Sequence, residues 1–253
     1  MRLSVLASGS SGNSFYIENE DKGILIDAGL SCRKIVERLS SLNVSPEKIQ
    51  GVFLTHEHAD HIKGVDVLAR KFQLPIFATR GTCEHFLCSQ EDLINTIKSD
   101  ETIKLGNMEV RAFSKSHLGK EPVSFNISNG KTISIITDLG FVCKNTQDAI
   151  NNSDFLCIES NHDIKMLENG PYPYYLKKWV KSDIGHLSNL QASLGVLEFA
   201  KPKLKNILLS HISKNNNTNL LALSSFSILK ERSDLHPRIL APEHGEMTDF
   251  FKI

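Results

Sequence analysis

Short apolar runs closed by a small or polar residue recur along the whole chain, and they predict its elements. Leu3–Ala7, Phe15–Ile17, Gly23–Asp27, Val52–Leu54, Pro75–Ala78, Phe155–Glu159 and Ile207–Ser210 read as strands. Gly106-Asn107 joins Thr102–Leu105 to Met108–Phe113, and Asn129-Gly130 joins Val123–Ile127 to Thr132–Ile136. Both pairs are hairpin signals, since glycine and asparagine tolerate the positive φ of tight turns. Helical spacing marks Ser31–Ser40, Asp60–Phe72, Arg80–Cys88, Asn189–Ala200 and Leu220–Arg232. Lys214–Asn219 is a polar loop. Hairpins early and strand–helix alternation later predict an α/β fold of two mixed sheets with helices packed outside, in a single domain spanning 1–253.

The polar residues that close these runs carry the chemistry. Val52-Phe53-Leu54 feeds His56, His58, Asp60 and His61, four metal-binding side chains within six positions. In an extended segment His56 and His58 project to one side while Glu57 points away. Imidazole with carboxylate suits zinc, with manganese and iron as harder relatives. Four ligands in so short a stretch exceed what one tetrahedral ion takes, which predicts two adjacent metals. A histidine-rich surface loop is the plain alternative, and the apolar strand running into the cluster argues against it.

The pattern then repeats, with His117 after Met108–Phe113, Asp138 after Thr132–Ile136, Glu159 closing its own strand, and His211 after Ile207–Ser210. Asp27 leaves an apolar run where it can orient a metal-binding histidine or cap the helix that follows. The small residues Ser8–Ser14 allow either a phosphate contact or a plain tight loop.

Composition narrows the classes. Of 253 residues 40% are hydrophobic and 23% charged, and 29 basic residues balance 29 acidic ones. No global basic field advertises a polyanionic partner, although a local groove is compatible with that balance. Five scattered cysteines without a C-x-x-C pair read as reduced thiols. With no signal peptide and no long apolar run, the expected location is the cytoplasm, with no membrane partner.

His56, His58, Asp60 and His61 form an H-x-H-x-D-H signature, and with it the chain resembles the metallo-β-lactamase superfamily. That resemblance implies a four-layer αββα sandwich carrying a binuclear site. It implies His56, His58 and His117 on one metal, Asp60, His61 and His211 on the other, Asp138 bridging them and Asp27 supporting from behind. The ions would be zinc, with manganese as the alternative. The stretches Leu6–Ser14, Glu159–Asp163, Tyr172-Pro173, Gly185–Asn189 and Leu209–Ser213 are similar to the YycJ/WalJ group, described as DNA exonucleases. The group places an aspartate after the third-motif histidine, where this chain has Leu118. Gly185–Asn189 also resembles the motif of tRNase Z whose histidine works at the scissile phosphate.

The implied reaction is hydrolysis of a phosphodiester by a metal-activated water, with nucleic acid, DNA or RNA, as substrate. Asp60 accepts the water's proton in this reading. His186 protonates the departing sugar oxygen or binds the phosphate, the alternative being a neighbour of a helix cap. Ser10, Asn13, Asn161, His162 and Asp163 are the expected lining of the substrate approach. Basic and aromatic residues, among them Lys177, Lys178, Lys181, Tyr172, Tyr174, Tyr175 and Trp179, fit either a nucleic-acid track or a solvated amphipathic helix. The competing enzyme reading is a small-molecule hydrolase acting on β-lactams, thioesters or lactones. A redox protein or metal-binding regulator is the non-hydrolytic alternative. Oligomeric state stays open, a homodimer included.

Overall fold

The structure, a computed structural model, describes every residue from Met1 to Ile253. Its strands in chain order are β1 (Arg2–Ala7), β2 (Ser14–Asn19), β3 (Lys22–Ile26), β4 (Ile49–Phe53), β5 (Ile76–Thr79), β6 (Ile94–Ile97) and β7 (Thr102–Leu105). They continue as β8 (Met108–Ser114), β9 (Val123–Ser128), β10 (Thr132–Ile136), β11 (Phe155–Glu159), β12 (Asn206–Ser210), β13 (Arg238–Leu240) and β14 (Phe251–Lys252). The helices are α1 (Cys32–Ser41), α2 (Ala59–Ile62), α3 (Val65–Phe72), α4 (Arg80–Cys83) and α5 (Lys144–Asn152). α6 (Ile164–Asn169), α7 (Tyr174–Val180), α8 (Asn189–Phe199) and α9 (Asn219–Ser225) complete them.

The strands make two seven-stranded mixed sheets, β14-β1-β2-β3-β4-β5-β6 and β13-β12-β11-β10-β9-β8-β7. The α/β class with two mixed sheets is therefore the fold of the chain. Two compact units divide it. One comprises Met1–Ser114, Gly119–Val123 and Gly245–Ile253, the other Lys115–Leu118 and Ser124–His244.

In the first unit β1, β2 and β3 pair antiparallel, whereas β3, β4, β5 and β6 run parallel. Successive residues of β1 to β3 are buried on both faces, which is why these strands read as continuous apolar runs rather than alternating ones. Helix α1 presents Cys32, Ile35 and Leu39 to the core, one side of a helix, and α3 presents Val65, Leu68 and Ala69. Ser31 caps α1 through the amide of Lys34.

The helix expected over Asp60–Phe72 is broken between α2 and α3. Gly64 donates its N–H to Ala28 O (2.8 Å), and a Cβ there would lie 2.1 Å from Leu30 O. The Asp60 carbonyl is taken by the Asn13 amide, so the bond from Gly64 that would continue the helix is not made. The helix expected over Arg80–Cys88 closes after a single turn. Beyond it the amide of Ser89 bonds the Asp66 carboxylate (2.6 Å), a tertiary partner in place of a helical one.

In the second unit β10, β11, β12 and β13 are parallel, and β9 joins β10 through a turn with Gly130 at φ +84°. Ser188 and Gln191 form a capping box at the start of α8, satisfying two amides that the first turn leaves open.

Candidate active site

Parallel strands release their carboxyl ends at one edge of a sheet, and each unit uses that edge to gather polar side chains. In the first unit β3 delivers Asp27 and β4 delivers Thr55 and His56. One oxygen of Asp27 accepts the Thr55 amide (2.8 Å). The other accepts the Thr55 hydroxyl (2.9 Å) and His61 Nδ1 (2.7 Å). The Thr55 hydroxyl, having donated to Asp27, accepts from His56 Nδ1 (2.9 Å). Both histidines are thereby held with Nδ1 protonated and Nε2 carrying a lone pair. Asp27 is fully committed to this work, and α1 is capped by Ser31 instead.

Main-chain bonds lace the same region together. Asn13 N–H reaches Asp60 O (2.7 Å), Ala28 N–H reaches His61 O (2.8 Å) and Gly29 N–H reaches Asn13 O (2.8 Å). A Cβ on Gly29 would lie 1.7 Å from Asp60 O, so only glycine permits this approach. The amide of Asn13 contacts Asp60 Oδ2 (3.2 Å) and His61 Nε2 (3.0 Å). His56 Nε2 faces His58 Nδ1 at 3.0 Å.

In the second unit β10, β11 and β12 lie in register and release Asp138, Glu159 and His211 side by side. Glu159 is fully buried and holds the group together. Its Oε1 accepts His186 Nδ1 (2.8 Å) and His211 Nδ1 (2.7 Å), and its Oε2 accepts the amides of Leu139 (2.9 Å) and Leu187 (3.0 Å). Burial alone would raise this carboxyl; the charge on His186 and the bonds from both histidines outweigh it and hold it well below the usual carboxylate range. His211 turns its Nε2 toward Asp138 Oδ1 at 3.4 Å. His117 donates Nδ1–H to Gly185 O (3.1 Å), with Nε2 at 3.9 Å from the same Asp138 oxygen. Burial pushes His117 down to about 3, against the pull of Asp138 and assisted by Lys115 and His186. Trp179 packs edge-on against the His186 ring, centroids 5.3 Å apart.

Asp27, Asp138 and His211 all sit at positive φ, at 59°, 54° and 51°. Left-handed backbone is uncommon for residues with a side chain and concentrates at functional positions.

The donors gathered in each unit suit divalent metal ions. In His56, His61, His117 and His211 one ring nitrogen is fixed by an acceptor and the other bears a lone pair, the state a metal-binding imidazole adopts. Glu159 lies close enough to Asp138, His186 and His211 to share an ion with them. Its two oxygens already accept four hydrogens, so it acts as an orienting group.

Of the residues expected along the substrate approach, Ser10 is exposed on a turn. Asn13 is buried against Asp60 and His61, and Asn161 donates to His211 O (2.9 Å). His162 is buried, which lowers its pKa to about 4, and Asp163 caps α6 through the amide of Met166 (2.9 Å). The capping of α8 by Ser188 leaves His186 out of the helix start. Glu159 is the residue to which the sequence assigned no role. Its signal was present, an acid closing an apolar strand as Asp27 and Asp138 do.

Residues 7–113 match the family model of the metallo-β-lactamase superfamily. Over 242 residues, 92% of this chain and 90% of the relative, the chain is 36% identical to exodeoxyribonuclease YycJ of Bacillus anthracis. The chain belongs to the metallo-β-lactamase superfamily. A second relative, exodeoxyribonuclease WalJ of Streptococcus pneumoniae, is also 36% identical, over 87% of this chain and 85% of the relative. Among solved structures, the metallo-β-lactamase fold protein YhfI of Bacillus subtilis superposes with a TM-score of 0.75 at 16% identity, covering 98% of both chains. The short form of human tRNase Z superposes with a TM-score of 0.66, again at 16% identity and 98% coverage of each. No helix is long and apolar enough to cross a membrane.

Proposed function

We propose that the chain is a metal-dependent nuclease that degrades DNA from an end. The observation that carries this reading is its kinship, over nearly the full length of both chains, with two exodeoxyribonucleases. In our reading residues 1–253 are a single domain with one binuclear centre. His56, His58 and His117 would hold one ion, Asp60, His61 and His211 the other, with Asp138 common to both. Five imidazoles and two carboxylates make zinc the favoured metal and manganese the alternative. Divalent ions bound there supply electrophilic activation of the phosphodiester and of the attacking water.

The chain's own groups divide the remaining work. Asp60 takes the proton of the attacking water. His186 carries a proton on Nε2 for the departing sugar oxygen, and the Glu159 carboxylate on its Nδ1 stabilises the imidazolium this requires. Ser10 and the loop around Asn161, His162 and Asp163 flank the incoming strand. Five unpaired cysteines fit a reducing compartment, and we place the protein in the cytoplasm.

The test uses chelator-stripped protein reloaded with zinc or manganese. It is assayed side by side on labelled single-stranded DNA, duplex DNA, RNA and a chromogenic β-lactam. The expected result is metal-dependent shortening of DNA that Asp138→Ala abolishes together with metal binding. Turnover of the β-lactam alone would refute the nuclease reading.

A further inference from the structure

Three large apolar side chains stand exposed on three loops of the second unit, each beside a residue of the site. Leu118 is 47% exposed and follows His117 directly. Phe141 is 43% exposed on the turn that leaves Asp138, and Ile184 is 44% exposed just before Gly185-His186. The loops are tied to one another. Leu118 N–H bonds Ile184 O (3.0 Å), Gly140 N–H bonds Ser116 O (2.7 Å), and the Ser116 hydroxyl bonds Asp183 O. Gly140 packs so closely that a Cβ on it would lie 1.9 Å from Asp183 O. Loops held this tightly present a fixed apolar lip.

Exposed apolar side chains that are held rigid next to catalytic groups call for a ligand with an apolar face. The flank of the lip says which. The stretch 164–182, covering α6 and α7, carries four lysines against one glutamate, with Asp163 and Asp183 at its two ends, in a chain whose charges balance overall, and the exposed Tyr174 and Tyr175 lie among them. It is coupled to the site, for His186 N–H bonds Val180 O (2.9 Å) and Trp179 packs on the His186 ring. A polyanion bearing flat apolar faces matches both surfaces. A second copy of this chain would bring its own lysines against these.

We propose that Leu118, Phe141 and Ile184 form a wedge that receives the unstacked terminal base of a DNA end, while the lysines of α7 follow its backbone. This inference rests on the nuclease reading and extends it to how the end is recognised. Apolar side chains inserted at a base step unstack it, and bases held on apolar or aromatic surfaces gain binding without sequence preference.

The experiment uses chelator-stripped protein and a blunt DNA duplex carrying 2-aminopurine, whose fluorescence rises on unstacking, at either the terminal or an internal position. Wild-type protein is expected to brighten the terminal probe and leave the internal one unchanged. The triple variant Leu118→Ser, Phe141→Ser, Ile184→Ser is expected to lose most of that rise. After metal loading its kcat/KM on blunt duplex should fall about tenfold or more. Its hydrolysis of bis(p-nitrophenyl) phosphate, which has no terminal base to seat, should be retained. A matching melting temperature shows that the variant folds, and Ile184→Ser alone provides a milder probe. An unchanged terminal signal and unchanged duplex turnover in the variant overturn the proposal. So does a concentration-dependent dimer that the substitutions abolish. Should wild-type protein cleave no DNA, the nuclease reading fails separately, and the fluorescence of the terminal probe still decides the lip.

Discussion

Replacing Glu159 with glutamine changes one oxygen to an amide and almost nothing in volume. The carboxylate accepts four hydrogens, from His186 Nδ1, His211 Nδ1 and the amides of Leu139 and Leu187, at distances of 2.7 to 3.0 Å. Glutamine has one accepting oxygen, so whichever way the amide turns, its NH2 meets two donors that have lost their acceptor. Glu159 has no solvent exposure, and water cannot replace the missing oxygen. Each buried donor left unsatisfied costs about 1–3 kcal/mol, and the imidazoles can relieve part of this by changing tautomer, so the expected loss is about 2–4 kcal/mol. For a chain of this size that lowers the melting temperature by roughly 4–16 °C. Turning His211 to its other tautomer removes the lone pair from the nitrogen that faces Asp138, so metal affinity should fall about 10- to 100-fold. Thermal unfolding with and without metal, and competition against a calibrated chelator, measure both quantities. If Glu159→Gln melts with the wild type and holds zinc as tightly, Glu159 is not the group that orients His186 and His211.

Other outcomes follow from the same geometry. Asp27→Asn should weaken metal binding about 10- to 100-fold, because its amide must face either the Thr55 N–H or His61 Nδ1; chelator competition reads this directly. Gly29→Ala should cost more than about 3 kcal/mol in a denaturant melt, since main chain cannot clear its Cβ. Gly130→Ala, where a Cβ would meet nothing within 4 Å and only the positive φ is unfavourable, should cost about 1 kcal/mol. His162 is kept neutral by burial, its pKa lowered from 6.5 to about 4. The unfolded chain takes up that proton first, so this contribution is complete above pH 6.5, falls as the pH drops, and is gone near pH 4. It amounts to at most about 3 kcal/mol. Urea midpoints recorded across that window should vary less in His162→Gln than in wild type, and parallel curves would assign the slope to other groups.

The parts legible in the sequence were those where one residue type meets one local demand. Gly106-Asn107 and Asn129-Gly130 announced their hairpins, and the acids and histidines closing apolar runs marked the site edge. Elements with little to bury gave no such signal. Helix α5 is nearly all polar and buries only Thr146, Ala149 and Ile150, while β6, β13 and β14 are two to four residues long. Long-range bonds were the other blind spot. Nothing local distinguishes Glu159 from any acid at a strand end, because the donors that define it come from residues 139, 186, 187 and 211. Asn13 and Asn161 are of the same kind, amides whose partners lie 47 and 50 positions away.

The tail Gly245–Ile253 belongs to the same compact unit as the amino-terminal strands. Its strand β14 pairs with β1, the Ser4 hydroxyl bonds Thr248 O (2.7 Å), and the Arg38 guanidinium bonds Gly245 O (2.5 Å). A chain emerging from the ribosome has therefore made every other strand of that sheet long before the one that shields its outer margin. Until residues 251–252 are released, β1 offers an open row of amides and carbonyls to any passing strand. Removing or encumbering residues 245–253 should show first as clumping during synthesis and only later as a fault in the chemistry.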